Sequence, residues 1–409
     1  MLPESLTHLV DFSNEPDKLF SELDWNQEEW LTDNLASFVS RKSFQHFDNH
    51  VVWIVQLVKI YYRTYGSGPI KVLMIIGLAG THESWKPQIE GLVDNGIQVC
   101  AFDNRGMGRS SIPKNKAEYS TRMMANDASS VMDHLGWKKA HVFGHSMGGM
   151  IACKLAAISP HRLLSLALLN VTGGGYECFP KIDRQTVSIA MRFLRAKTPE
   201  KRAAVDLDTH YTKEYLEEYV GHKTRRDILY QEYVKGISAT GMQSNYGFDG
   251  QIHACWTHKV SKPELEAIRA QGFLISIIHG RHDVIAQISH AQRLAKKLYP
   301  LARMIQLPGG HLVSHERTKE VNEALLDLIK ASETKTSPYD WTNLSPETSS
   351  CWTTSWPSSS ETEISNVGIT EKLTLKVVYI IGLFMVAFEY IKRVLRRLKP
   401  VRIGPALSQ

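Results

Sequence analysis

Short continuous apolar runs alternate with longer amphipathic segments between residues 50 and 330. Such runs are typical of strands buried on both faces of a parallel sheet, and the segments between them have the spacing of surface helices. The predicted buried strands are VLMII (72–76), IQVCAF (97–102), AHVF (140–143), LLSLALL (163–169), FLISIIH (273–279) and RMIQL (303–307). This alternation predicts the α/β class, with a mostly parallel, doubly wound sheet.

Helical periodicity is clear in two of the segments between the strands. Residues 121–135 place an apolar face behind Ser120, the predicted N-cap, and MIACKLAAI (150–158) predicts a second helix. The strands at 163–169 and 273–279 are about a hundred residues apart, whereas ordinary connections in α/β units have ~2–6 residues. Because residues 172–265 are rich in helix formers, we predict that they form a helical lid inserted into a core of residues 50–171 and 266–332.

Three further segments flank this predicted core. Residues 1–49 form an acidic N-terminal segment, and residues 333–370 are a linker rich in Ser, Thr and Pro. Residues 371–409 combine an apolar run with basic residues and predict a membrane anchor. Its uncharged stretch, Val377–Phe388, is shorter than the ~20 residues of a spanning helix, so a short tail anchor and an in-plane interfacial helix both stay open. A buried core helix is the less favoured alternative.

Charge and cysteine content narrow the classes of function. The net charge is only +6, and positive charge is concentrated beside the apolar tail, which argues against nucleic-acid binding. Five cysteines without paired or metal-type spacing favour a reducing compartment and indicate no metal site. The N-terminus lacks the pattern of a signal peptide, so we expect the main domain to face the cytosol. No cofactor is expected.

The sequence VFGHSMGGM (142–150) contains the first candidate for chemistry. Ser146 follows a predicted strand, precedes a predicted helix and has Gly144 and Gly148 two residues to either side. A nucleophile on so sharp a turn needs small neighbours, and the following helix N-terminus favours negative charge. We therefore predict that Ser146 is a nucleophile; the alternative is a structural serine in a tight turn.

A serine nucleophile needs a base and an orienting carboxylate. His311 follows the last predicted strand, and Asp283 follows FLISIIH, so both lie at the carboxyl edge of the sheet with Ser146. His315 is the second candidate for the base, and His145 is expected to point elsewhere. The order Ser146, Asp283, His311 is the one that an α/β-hydrolase requires.

The anionic intermediate of acyl transfer needs two backbone donors. One is expected to be the amide of Met147, directly after the nucleophile. The other is expected in the loop Gly77-Leu78-Ala79-Gly80 after VLMII, and we choose the amide of Leu78.

Together these features resemble the α/β-hydrolase superfamily over roughly residues 55–332. DNRGMGRS (103–110) resembles the loop after the fourth strand in lid-bearing members, and CAFDNRGMGRSS and NVTGGGYECFP are similar to uncharacterised plant members. The loop IIGLAG departs from the family pattern, with Ile76 where His is frequent.

The resemblance implies that Ser146 attacks a carbonyl and that water releases the acyl-enzyme. Our first hypothesis is therefore a serine hydrolase of carboxylic esters, with lipophilic or lipid-derived substrates indicated by the predicted lid and tail. Two alternatives are a ligand-binding receptor of this fold with little turnover and an acyltransferase. The resemblance also leaves open C–C bond hydrolysis and cofactor-free peroxidation, which occur in the family with the same triad.

Overall fold

The computed structural model describes residues 36–43, 56–93, 95–181, 183–240 and 243–345. The strands in these ranges are β1 (Ala36–Ser43), β2 (Gln56–Tyr65), β3 (Ile70–Ile75), β4 (Ile97–Phe102), β5 (Ala140–His145), β6 (Leu163–Leu169), β7 (Tyr219–Val220), β8 (Lys223–Thr224), β9 (Leu274–Gly280) and β10 (Ala302–Leu307). Eight of them form one sheet in the order β1-β2-β4-β3-β5-β6-β9-β10. Strands β3 to β6, β9 and β10 pair in parallel, and β2 pairs antiparallel with β1 and β4. The predicted α/β class and mostly parallel sheet are confirmed.

Helices lie between the strands along the chain and after β10. They are α1 (Lys86–Val93), α2 (Thr121–His134), α3 (Met147–Ile158), α4 (Arg184–Arg195), α5 (Pro199–His210), α6 (Lys213–Glu217), α7 (Arg225–Thr240), α8 (Asn245–Thr257), α9 (Lys262–Ala270), α10 (Ile288–Lys297), α11 (Val313–Glu316), α12 (Thr318–Glu333) and α13 (Pro338–Trp341). The Ser120 hydroxyl accepts the Met123 N–H at 3.1 Å and caps α2 as predicted.

The core has two apolar layers because successive strand side chains point to opposite faces of the sheet. Leu73 and Ile75 of β3 pack in one cluster with residues of α2, α3, α9 and α10. Val72 and Met74 pack in the other with residues of α1 and α12. Burial on both faces explains why these strands appear in the sequence as continuous apolar runs.

Strand β1 lies in the part of the chain that the sequence analysis assigned to the acidic N-terminal segment. It pairs with β2 along its whole length, from Ala36 opposite Arg63 to Ser43 opposite Gln56, and is one of the two edge strands of the main sheet. Its sequence, ASFVSRKS, has few apolar residues. An edge strand needs no continuous apolar run, so the hydrophobic pattern did not reveal it.

The insertion between β6 and β9 holds helices α4 to α9 and the short hairpin β7-β8. Helix α9 crosses the predicted boundary at 265/266, and its Leu265 and Ile268 are buried in the core cluster with α3. That the insertion acts as a lid stays a prediction. No helix within the described ranges is long and apolar enough to cross a bilayer. The predicted anchor at 371–409 lies outside the described residues.

Candidate active site

Ser146 occupies a strained backbone position between β5 and α3. Its φ of 53° and ψ of −120° lie in a region that costs a residue other than glycine about 1–3 kcal/mol. Its N–H donates to the Leu169 carbonyl of β6 at 2.8 Å, and its own carbonyl accepts the Gly149 N–H at 2.9 Å. The sheet and the helix thus hold the turn from both sides, and the side chain stands at the carboxyl edge of the sheet.

The two flanking glycines are required by close backbone contacts. A Cβ atom on Gly148 would lie 2.0 Å from the Ile75 carbonyl oxygen of β3. A Cβ atom on Gly144 would lie 2.4 Å from the Gly148 carbonyl oxygen. These distances are far below van der Waals contact, so no larger residue fits at either position while the turn keeps this shape.

Asp283 and His311 meet at the same edge of the sheet, at the ends of the paired strands β9 and β10. His311 Nδ1 lies 2.8 Å from Asp283 Oδ2, and both side chains are buried. A carboxylate can only accept, so Nδ1 carries the proton and leaves Nε2 as the basic atom. Among the described residues, no hydrogen bond joins this ring to the Ser146 hydroxyl. Such bonds are often long before substrate binds.

His145 connects the serine turn with the histidine loop. Its ring centroid lies 5.0 Å from that of His311, and its Nε2 donates to the His311 carbonyl at 2.8 Å. Burial, together with the nearby His311, lowers the pKa of His145 to about 3, so the ring stays neutral. The residue directly before Ser146 therefore packs against His311 and brings the two loops together.

Asp283 accepts four hydrogen bonds. Oδ1 accepts the N–H groups of Ile285 and Ala286 at 2.8 and 2.9 Å, and Oδ2 accepts from His311 and from the Asn170 amide at 2.7 Å. Burial by itself raises the pKa of Asp283, but the electrostatic interactions with His311 and His279 and the hydrogen bonds from His311 and Asn170 outweigh burial and bring the pKa from 3.8 to about 2. The carboxylate is thus held ionised where it contacts His311.

Asn170 was not predicted as part of the site. It follows β6 with a φ of 47°, a left-handed conformation that asparagine tolerates better than most residues. Its Nδ2 donates to Asp283 Oδ2 and also to the Gly310 carbonyl at 3.2 Å, so it links the loops that carry Asp283 and His311. The available signal was its place directly after the predicted strand LLSLALL (163–169), at the same sheet edge as Ser146.

Two further histidines, His315 and His210, lie in the region of His311. His315, the second candidate for the base, has both nitrogens engaged elsewhere: Nδ1 with the Tyr211 hydroxyl at 3.0 Å and Nε2 with the Ser84 carbonyl at 2.8 Å. His210, at the end of α5, stacks on His311 with ring centroids 6.1 Å apart. Burial and the adjacent His311 lower the pKa of His210 to about 3. The inserted segment therefore contributes an uncharged ring to the surroundings of His311.

The loop after β3 approaches the serine turn closely. A Cβ atom on Gly77 would lie 3.1 Å from the Ser146 Cβ, so Gly77 allows this approach. Within the described residues, neither the Leu78 N–H nor the Met147 N–H has a hydrogen-bond acceptor, whereas the Ala79 N–H donates to Gln251 Oε1 at 3.0 Å. The Asn104 side-chain amide donates to the Ile76 carbonyl, directly after β3, at 2.7 Å and so holds the start of this loop. That the two amides chosen from the sequence bind an oxyanion stays a prediction.

We expect acid to reduce stability through Asp283. Its pKa is about 2 in the folded protein and 3.8 before folding, so the folded state favours ionisation by about 2 kcal/mol. Because the folded pKa is the lower one, this stabilisation is complete above about pH 4 and is lost as the pH falls toward 2. Urea unfolding of the wild type and Asp283→Asn at several pH values measures this stabilisation. The difference between their free energies of unfolding should shrink as the pH falls from 4 to 2. A difference in free energy of unfolding that did not depend on pH would contradict this account.

Comparison with known proteins agrees with the observed fold. A family model described as the alpha/beta hydrolase fold matches residues 71–318. A RutD protein of Azorhizobium caulinodans, whose name describes a carbamate hydrolase, is 35% identical over 141 residues, which are 34% of this chain and 50% of that protein. The chain thus spans half the length of that relative.

Two other proteins match over most of their length. A fluoroacetate dehalogenase of a Burkholderia species is 30% identical over 273 residues, which cover 60% of this chain and 82% of that protein. The crystal structure of the enol-lactonase from Burkholderia xenovorans superimposes with a TM-score of 0.55 at 23% identity and covers 67% of this chain and 97% of that one.

Proposed function

Because the chain belongs to the α/β-hydrolase fold family, we propose that it is a serine hydrolase that cleaves carboxylic esters through an acyl-enzyme. One observation carries this proposal: the hydrogen-bonded pair of Asp283 and His311 lies at the same sheet edge as the strained turn of Ser146. This arrangement supports an activated serine rather than a structural one. A serine that only closed a turn would not need a buried, ionised carboxylate behind a neighbouring histidine.

The proposed reaction begins when a substrate carbonyl lies above the serine turn. His311 Nε2 takes the proton from the Ser146 hydroxyl as its oxygen attacks the carbonyl carbon, and Asp283 stabilises the imidazolium that forms. The N–H groups of Leu78 and Met147 bind the developing oxyanion. His311 then protonates the leaving alcohol. A water molecule, activated by the same imidazole, hydrolyses the acyl-enzyme and regenerates Ser146.

The names of the relatives describe the cleavage of different bonds. We therefore infer the reaction class from the nucleophile. An aspartate at position 146 would indicate halide or epoxide chemistry, but the residue is a serine. A serine alkoxide adds to a carbonyl, and the ester it forms is released by water. This supports ester cleavage over the dehalogenation named for the Burkholderia relative.

A substrate panel tests the proposed reaction class. The full-length chain should hydrolyse p-nitrophenyl esters measurably faster than a p-nitrophenyl carbamate, and should release no fluoride from fluoroacetate. Absorbance at the nitrophenolate band and a fluoride electrode measure the two outcomes. Fluoride release, or faster carbamate cleavage, would contradict the ester assignment. No turnover of any substrate would favour the ligand-binding alternative.

Helix α4 supports the lipophilic part of the proposal. Along one side of the helix, Val187, Met191 and Leu194 are 52%, 38% and 52% exposed. Arg184 and Arg195 lie next to this apolar stripe by helical spacing, and residues 181–197 carry five basic side chains against the single acidic Asp183. Exposed apolar residues bordered by arginine are typical of helices that lie in the interface of an anionic membrane. The proposal therefore includes contact of α4 with a lipid surface, in addition to the tail at 371–409, and a catalytic domain that faces the cytosol.

This contact predicts a local change of environment. A polarity-sensitive dye on Met191→Cys, in the full-length chain, should shift to shorter wavelength with vesicles containing phosphatidylserine, and less so with phosphatidylcholine alone. The same dye on Val220→Cys in the β7-β8 hairpin is the control, because Val220 is also an exposed apolar residue. Equal shifts at both positions would refute a specific role of α4. The unsubstituted chain gives the background from native cysteines.

A further inference from the structure

Helix α8, within the inserted segment, packs tightly against two loops at the carboxyl edge of the sheet. A Cβ atom on Gly247 would lie 2.0 Å from the Gly106 carbonyl oxygen, and one on Gly250 would lie 2.4 Å from the Tyr119 ring. These glycines, one helical turn apart, allow the helix to approach the loop after β4. The next residue, Gln251, has no exposed surface.

The Gln251 amide connects that loop with the one after β3. Its Oε1 accepts the Ala79 N–H at 3.0 Å, and its Nε2 donates to the Arg105 carbonyl at 3.0 Å. Oε1 also accepts from Gln243 Nε2 at 2.9 Å. An N–H can only donate and a carbonyl can only accept, so the two backbone partners determine the orientation of the amide.

The bond to Ala79 falls in the turn that carries the predicted oxyanion donor. Gly77 to Gly80 form a turn closed by the Gly80 N–H and the Gly77 carbonyl at 3.4 Å. Ala79, the third residue, has a φ of 59°, which a type II turn requires and which alanine adopts only at a cost. The Gln251 oxygen holds the Leu78–Ala79 peptide in this orientation, and the Leu78 N–H belongs to the preceding peptide of the same turn.

We propose that Gln251 is a positioning residue that sets the Leu78 amide for oxyanion binding. This inference rests on the proposed hydrolase function and names a part of the inserted segment on which the reaction depends. It also implies that α8 stays in contact with the sheet edge during turnover, so any opening of the insertion must occur in its other helices.

Gln251→Met tests the proposal because methionine has a similar length and accepts no strong hydrogen bond. We expect kcat per site titrated with a fluorophosphonate probe to fall about 10- to 100-fold, somewhat less than the loss of one whole oxyanion donor. KM for p-nitrophenyl acetate should change less than threefold. The acidic limb of the pH–rate profile should stay in place, because Asp283 and His311 are not touched. A purely structural residue would instead lower the number of titrated sites and leave kcat per site unchanged.

Two other variants make the result specific. In Gln251→Glu, burial favours the protonated acid, which can still accept from Ala79 and donate to Arg105, so this variant should recover most of the kcat lost in Gln251→Met. Gln243→Met is the matched control, since Gln243 contacts Gln251 and the Gly106 carbonyl but not Ala79. A kcat per site of Gln251→Met within twofold of the wild type would overturn the proposal.

Hydrogen exchange separates this proposal from the function on which it rests. The Ala79 amide should exchange faster in Gln251→Met than in the wild type or in Gln243→Met, as measured on peptides covering residues 77–80. If the wild type hydrolyses no ester, the proposed function fails, and exchange alone decides whether Gln251 holds the turn. Unchanged protection in Gln251→Met would overturn the positioning role in either case.

Discussion

Ser146→Ala is expected to lower kcat for ester hydrolysis by about 10⁴- to 10⁶-fold, because alanine removes the atom that would form the acyl-enzyme. A fluorophosphonate probe should label the wild type at Ser146 and should not label the variant, as seen by mass spectrometry of the labelled peptide. Protein folding should be nearly unaffected, since alanine meets the same backbone strain at φ 53° as serine does.

Ser84→Ala is the matched control for this experiment. Ser84 lies near the site, where its carbonyl accepts from His315, but it has no role in the proposed reaction. Its labelling and kcat should match those of the wild type. Labelling that persists in Ser146→Ala would assign the reactive group to another residue and would remove the basis of the proposed mechanism. Ser146→Gly should be inactive as well but more stable than Ser146→Ala, because glycine adopts this φ without strain.

Asp283→Asn is expected to lower kcat by about 10⁴-fold while the protein stays folded. The carboxylate accepts the proton on His311 Nδ1 at 2.8 Å. An asparagine amide that turned its NH₂ group toward this nitrogen would favour the other tautomer, with Nε2 protonated and unable to take the Ser146 proton. Even in the other orientation, no negative charge would stabilise the imidazolium. Rates of p-nitrophenyl acetate hydrolysis and of probe labelling should fall together, because both require an activated Ser146.

Asp133→Asn serves as the control for charge removal. Asp133 forms an ion pair with Arg162 at 2.7 Å, and more than half of its side chain is exposed. Its loss should change kcat less than twofold. If Asp283→Asn retained a tenth or more of the wild-type kcat, the carboxylate would be structural and the base would need another partner.

The inner strands of the sheet could be predicted closely from sequence. The predicted 97–102 and 163–169 coincide with β4 and β6, because strands buried on both faces are apolar at nearly every position. The edge strand β1 lacks this requirement and was missed. The positions of Ser146, Asp283 and His311 after their strands followed from the rule that the carboxyl ends of parallel strands share one edge.

The partners of these residues could not be predicted in the same way. Asn170 and Asp283 are 113 positions apart in the chain, His145 and His311 are 166 apart, and Ala79 and Gln251 are 172 apart. A hydrogen bond over such a separation depends on the angle and distance at which two elements pack. No local pattern in the sequence reports that geometry.

The sequence by itself determined the elements of the core and the types of reactive group at the strand ends. It could do so because burial, helical spacing and a tight turn each restrict the residue types at particular positions, and these restrictions can be recognised in a short stretch of sequence. Only the tertiary structure decided what surrounds those groups: the four donors on Asp283, the neutral rings of His145 and His210 beside His311, and Gln251 beneath the turn of Leu78. These contacts form when the inserted segment and the strand loops meet, because desolvation and hydrogen bonding act between groups that are close in space, whatever their separation along the chain.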